Sequence, residues 1–279
     1  MLWQCLMFIC LILSINSCVT SNLKWNEVDG PTRTESQVYG GYSAGCLDGA
    51  EAIKMSSPNH QVMRVARNRL YGHPSLIQFI DSYSKSIFDN NLGILAIGDL
   101  SQPRGGPMVK GHASHQIGLD VDIWFKRFTQ LERNSLSAND LESYSATSMI
   151  NKDSLTLNKN AWSEANTTAL KLASEDDKVE RIFVNFVIKK YLCDKHKSES
   201  WMNKLRPWWG HKYHYHVRLS CPENNSACKS QPTPENNDGC DETLAWWFSE
   251  EAQKEYEKKR NSKKHKIRLP LQCDKVFIG

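Results

Sequence analysis

Gly118-Leu-Asp-Val-Asp-Ile-Trp-Phe125 alternates apolar and polar side chains from Leu119 to Ile123, and His214-Tyr-His-Val-Arg-Leu219 does so throughout. Successive side chains of a strand point to opposite faces, so both stretches read as strands. In the first, Leu119, Val121 and Ile123 face one way and Asp120, Asp122 and Trp124 the other. In the second, Tyr215, Val217 and Leu219 share one face, and His214, His216 and Arg218 the opposite one. If the two strands are neighbours, a carboxylate on one meets imidazoles on the other, and His115 can close the cluster from the adjoining loop. Two His and one Asp suit a catalytic zinc, because three protein ligands leave a fourth position for water. Zinc lowers the pKa of that water to about 7 and polarises a carbonyl. A His-x-His on a strand is, taken alone, more often a packed or hydrogen-bonded pair. Acids and histidines together on the polar faces of otherwise apolar strands are what favour a metal. Asp120 and Asp122 share a face, so alternation does not choose between them.

Working outward, Pro74 opens an amphipathic helix to about Phe88, with Leu76, Phe79, Ile80 and Ile87 on one side. Gly93 to Gly98 reads as a buried strand, Ser163 to Ala173 as a helix, Val179 to Val184 as a strand and Val187 to Leu192 as a helix. No repeat or linker interrupts the chain from Tyr39 to Phe248, which favours one domain spanning 19–279. The expected class is α+β: a small, mostly antiparallel sheet carrying a zinc site, flanked by helices and stapled by disulfides. A length of 279 residues is ample for a sizeable core. With 40% hydrophobic and 24% charged residues, the composition excludes a disordered, collagen-like or polytopic membrane chain. A formal charge of +4 is too mild to indicate nucleic acid. The basic run Lys258 to Arg268 lacks interleaved aromatics and reads as a solvated tail or helix end. There is no Gly-x-Ser-x-Gly elbow, no Walker loop and no His-Glu-x-x-His helix.

The nine cysteines need an account, since an odd count in an oxidising compartment leaves a thiol over. Cys5 to Leu13 is apolar, too short to span a bilayer, and leads into small residues before Cys18. Residues 1–18 therefore read as a secretory signal, although no Lys or Arg precedes the apolar run. Ile15-Asn-Ser-Cys18 also resembles a loose lipobox, in which Cys18 carries a lipid anchor. Cys5 and Cys10 leave with the signal, and Cys18 is removed or acylated. Cys46, Cys193, Cys221, Cys228, Cys240 and Cys273 remain and read as three disulfides of an exported protein.

Gly111-His-Ala-Ser-His115-Gln-Ile-Gly-Leu-Asp-Val-Asp122-Ile and Arg206-Pro-Trp-Trp-Gly-His211-Lys-Tyr-His214-Tyr-His216-Val-Arg-Leu-Ser-Cys221-Pro resemble the signature segments of the penicillin-insensitive murein endopeptidases. These belong to the wider lysostaphin/D-Ala-D-Ala metallopeptidase group, marked by His-x6-Asp and His-x-His. Gly45-Cys46, Gln61-Val-Met-Arg64, Tyr71-Gly-His-Pro74, Ile97-Gly-Asp99 and Arg181-Ile-Phe-Val-Asn185 match as well, so the likeness runs from about Tyr39 to Cys273. It implies His115, Asp122 and His216 as zinc ligands, His214 as general base or stabiliser of the tetrahedral intermediate, and His211 as a second active-site histidine. It implies the pairings Cys46–Cys273, Cys193–Cys240 and Cys221–Cys228. Family members can carry a second metal, for which His112 and Asp153 are the candidates here; Thr156 stands where a further histidine would fall, so one functional zinc is expected. The implied activity is hydrolysis of D-alanyl–diaminopimelyl crosslinks of peptidoglycan, in the periplasm of a Gram-negative bacterium and without a serine that β-lactams could acylate. A D,D-carboxypeptidase or dipeptidase is the alternative, and a non-catalytic wall-binding module a more distant one. Trp208, Trp209 and Trp124 are candidates to line a substrate groove, with core packing the alternative for Trp124. His73 reads as a helix-entry residue.

Overall fold

The computed structural model describes residues 24–151, 154–232, 237–262 and 267–279. The expected signal with Cys18, Asp153 and part of the basic run lie outside the described residues. A hairpin of β1 (Gln37–Gly41) and β2 (Ala44–Asp48) comes first. Then β3 (Glu51–Ala52), β4 (His60–Val62) and β5 (Tyr71–Gly72) lead into α1 (Pro74–Asp89) and β6 (Ile94–Ile97). After β7 (Asp120–Phe128) come α2 (Gln130–Ser135), α3 (Ala138–Ser143), α4 (Glu164–Ser174), β8 (Val179–Asn185) and α5 (Phe186–His196). The chain continues through β9 (Leu205–Trp208) and β10 (His214–Leu219) to α6 (Glu242–Trp246), α7 (Glu250–Asn261) and α8 (Gln272–Ile278).

The central sheet has six strands in the order β4-β6-β7-β10-β8-β9. Its pairings are antiparallel except β4–β6 and β8–β9, in keeping with the expected α+β class. The two alternating strands are neighbours, with His216 directly opposite Asp122 and Arg218 opposite Asp120. Val121, Ile123, Tyr215, Val217 and Ile182 line one face of the sheet, and α1, α4 and α5 pack there to form the main core.

The first of these helices shows why the packing holds. Pro74 fixes the first helical φ, and the His73 ring caps the Ser75 N–H. Leu76, Phe79, Ile80, Tyr83 and Ile87 then recur on one stripe and are buried. Leu76, Ile80 and Ile87 lose all exposure, each burial being worth about 1.5–3 kcal/mol. Tyr83 reaches through the core to meet the Tyr215 hydroxyl at 2.7 Å.

The Asp120/Asp122/Trp124 face of β7 is buried as well as the apolar one. The segment from Asp99 to His115 folds over the two acids, with Asp122 N–H donating to Asp99 O and His115 N–H to Asp120. Trp124 packs in a second apolar cluster with Met63, Ile94, Ala96 and Phe128, so it is a core residue. All three implied disulfides are present: Cys46–Cys273, Cys193–Cys240 and Cys221–Cys228. The first ties α8 to β2 across 227 residues of sequence. Lys258, Lys259 and Arg260 form the last turn of α7, where cations complement the helix dipole. Among the described residues no helix is long and apolar enough to cross a membrane.

Candidate metal centre

Asp122 stands at the middle of four imidazoles, two beside each carboxylate oxygen. His115 Nε2 lies 3.4 Å and His216 Nδ1 3.3 Å from Oδ1, while His214 Nε2 lies 3.5 Å and His112 Nδ1 3.6 Å from Oδ2. The elements supply them in a way the sequence dictates. His214 and His216 come from the polar face of β10, and Asp122 comes from the facing strand. His112 and His115 come from the loop before β7, which Gly118 turns at a φ of +67°. A Cβ on Gly118 would stand 2.3 Å from the Leu47 side chain and 2.9 Å from His73 N, so only glycine fits.

Three of the four rings have one nitrogen tied to an acceptor and the other left bare toward Asp122. His115 Nδ1 donates to Leu100 O at 3.1 Å. His216 Nε2 donates to Asp120 Oδ1 at 2.8 Å. His112 Nε2 donates to Asp99 Oδ2 at 2.8 Å. In a neutral ring an acceptor on one nitrogen leaves the lone pair on the other, which is how a metal-ligating histidine is held. His115 Nε2 and Asp122 Oδ1 are moreover buried with no hydrogen-bond partner at all. Such orphaned atoms are rare and costly in a protein interior unless something else binds them. Bare imidazoles and a carboxylate oxygen fit a zinc ion in both charge and donor type.

The expected ligands His115, Asp122 and His216 are thus gathered at one point. His112 joins them there: His112, His115 and Asp122 can each offer a ligand atom within 4.8 Å of the others. It was expected to pair with Asp153, of which nothing is described. Thr156 is engaged with Asn151 and Ser154. His211 is one ring further out, its centroid 4.9 Å from that of His214 and 6.0 Å from that of His216. It adopts a left-handed φ of 49°, and its Nδ1 donates to Trp209 O at 2.8 Å.

Burial pushes the Asp122 carboxyl up, but the surrounding His214, His115 and His112 outweigh it and hold the group well below the usual carboxylate range. Asp120 and Asp99 are likewise kept ionised against burial, by Arg218 and His216 in one case and by His112, Arg67 and Arg69 in the other. Burial lowers His214, and Asp122 only partly offsets it. His211 is pushed down to about 3 by burial and by its neighbours His214 and His216, so it is neutral near pH 7. His216 is raised despite its burial, because Asp120 faces it.

Sequence reasoning gave no role to Asp99, to its partners Arg67 and Arg69, or to Arg218, which meets Asp120 at 2.7 Å. Asp99 sits in the Ile97-Gly-Asp99 segment, whose likeness to the family was the one available signal. At the rim, Trp208 is 51% exposed and lies edge-on to Phe183, which in turn packs against His216. Trp209 instead stacks on Tyr256 of α7, so its role is packing.

Known proteins resemble this chain over most of its length. The family model described as penicillin-insensitive murein endopeptidase matches residues 38–278. A protein of that name from Klebsiella pneumoniae subsp. pneumoniae is 40% identical over 225 residues, covering 80% of this chain and 81% of its own. One from Salmonella arizonae is 39% identical over 235 residues, 84% of each chain. One from Pectobacterium atrosepticum is 39% identical over 235 residues, 84% of this chain and 82% of its own. On the extent of that match, the chain belongs to the penicillin-insensitive murein endopeptidase family.

Proposed function

We propose that the protein is a zinc-dependent murein endopeptidase that hydrolyses the D-alanyl–diaminopimelyl amide of crosslinked peptidoglycan. The observation that carries this reading is the buried Asp122 with bare imidazole nitrogens turned toward it and no protein partner for Oδ1. We assign His115, Asp122 and His216 as the ligands of one zinc. His216 and Asp122 stand opposite each other on paired strands, which holds them more firmly than a loop holds His112. His112, with Asp153, is left to a second and weaker site.

A zinc ion held there supplies Lewis acidity, polarising an amide carbonyl and acidifying water. Proton transfer falls to His214, whose buried Nδ1 has no protein partner and whose lowered pKa leaves it neutral at pH 7. It takes a proton from the attacking water and returns it to the leaving amine. His211 gives its Nδ1 proton to Trp209 O, so its free Nε2 is an acceptor that orients the water. Trp208 offers an exposed aromatic face to substrate, next to the Phe183 ring that packs on His216. No acyl-enzyme forms on a serine, so β-lactams have nothing to acylate.

We further propose that residues 1–18 direct export, that Cys18 is removed or lipidated, and that 19–279 is one periplasmic domain. The three disulfides support an oxidising compartment. Digesting intact sacculi and resolving muropeptides by mass tests the reaction. Release of monomers from crosslinked dimers, unaffected by a β-lactam, is expected. Free D-alanine with dimers untouched would make it a carboxypeptidase instead.

A further inference from the structure

Asp120 is fully buried, stands two residues before the proposed ligand Asp122, and is not itself a proposed ligand. Its oxygens are all engaged by protein. Oδ1 accepts from His216 Nε2 at 2.8 Å and from Arg218 Nε at 2.7 Å. Oδ2 accepts from the backbone N–H of His115 at 2.9 Å and from Arg218 at 3.3 Å. One carboxylate therefore grips the side chain of one proposed ligand and the main chain of another, across two elements that share no sequence proximity. The grip on His115 is on a residue with a left-handed φ of 66°, a conformation a non-glycine adopts only when its surroundings hold it there. Arg218 is itself pinned, its guanidinium 4.1 Å from the centre of the Tyr42 ring and bonded to Gln231. The counter-charge is thus as fixed as the acid.

We propose that Asp120, with Arg218 as its counter-charge, is the positioning residue of the metal centre: it sets the tautomer of His216 and the backbone of His115 before any ion arrives. An imidazole free in solution exchanges its proton between the two nitrogens. A carboxylate on Nε2 keeps a proton there, so Nδ1, which faces Asp122, is the nitrogen left to a metal. The inference goes beyond the zinc reading, because the contact between His216 Nε2 and Asp120 is present without a metal.

The test begins on the metal-free full-length protein, using long-range proton–nitrogen NMR of the histidine rings. His216 Nε2 is expected to be protonated; a bare Nε2, with the proton on Nδ1 alone, overturns the proposal without any variant being made. The second arm is the double variant Asp120→Leu/Arg218→Met, which removes acid and base together and leaves no unpaired buried charge. It is expected to lose the Nε2 preference of His216 and to bind zinc about 10- to 100-fold more weakly in a chelator competition. A folded double variant that keeps both the tautomer and the wild-type zinc affinity would show Asp120 to be structural only. If the wild type itself bound no zinc, the ligand assignment would fail while the tautomer measurement still decided this proposal.

Discussion

At the residue scale, the four rings around Asp122 divide by their second nitrogen. His115, His216 and His112 are each anchored to an acceptor, whereas His214 Nδ1 is buried without one. On the proposed assignment, with His216 a ligand and His214 the base, that difference gives two contrasting outcomes. His216→Ala is expected to lose bound zinc, read by elemental analysis, and all sacculus hydrolysis. His214→Gln is expected to keep its zinc while kcat falls about 10²- to 10⁴-fold. Equal loss of metal in both variants would contradict the division. A further group outside the site carries a pH signature. Lys189 is fully buried in α5, donates to Met202 O at 3.2 Å and to Asp238 O, and is lowered to about 7 by burial and by Arg206. Between there and the ordinary 10.5 the unfolded chain binds a proton that the folded chain does not, so Lys189 makes stability rise with pH over that window. Urea midpoints of the wild type and Lys189→Met, compared at pH 7 and 9, are expected to show this rise in the wild type only. A gap between the two proteins that does not change with pH would rule it out.

At the element scale, β7 and β10 were legible because one face of each is uniformly apolar and period two leaves little choice. Helix α1 was legible for the same reason at period 3.6, with Pro74 marking its start. The turn that carries His112 and His115 onto the acids was not. It depends on left-handed backbone at Gly111, His115 and Gly118, and hydrophobic pattern has no term for that. Trp124 was ambiguous because alternation gives a side chain's face but not what covers it; the cluster of Met63, Ile94 and Phe128 does so. The turn yields its own expectation. Gly118→Ala places a methyl group against Leu47 and into the α1 N-terminus, so the backbone must move. Thermal stability is expected to fall by about 1–3 kcal/mol, with a larger proportional loss of zinc affinity, because the displaced loop holds His115. A variant as stable as the wild type, with unchanged metal binding, would show the turn to be tolerant.

At the scale of the whole molecule, the disulfides close what the core leaves open. Cys46–Cys273 fastens the last helix to the β1–β2 hairpin beside Trp25 and Val276. Closing so long a loop is worth about 5 kcal/mol in the chain-entropy account. Cys46→Ser/Cys273→Ser should therefore unfold at markedly lower denaturant while keeping turnover at low temperature; an unshifted midpoint would contradict this. The number of bridges followed from counting cysteines, but their pairing came only from the family likeness, since spacing does not fix connectivity. The central claim, that one zinc held by His115, Asp122 and His216 performs the hydrolysis, is tested most directly by titration. Chelator-treated protein is mixed with crosslinked sacculi, zinc is returned in steps, and monomer release is followed by mass. Release should be absent at first and reach its plateau at about one equivalent. Undiminished release from the metal-free protein would contradict the claim.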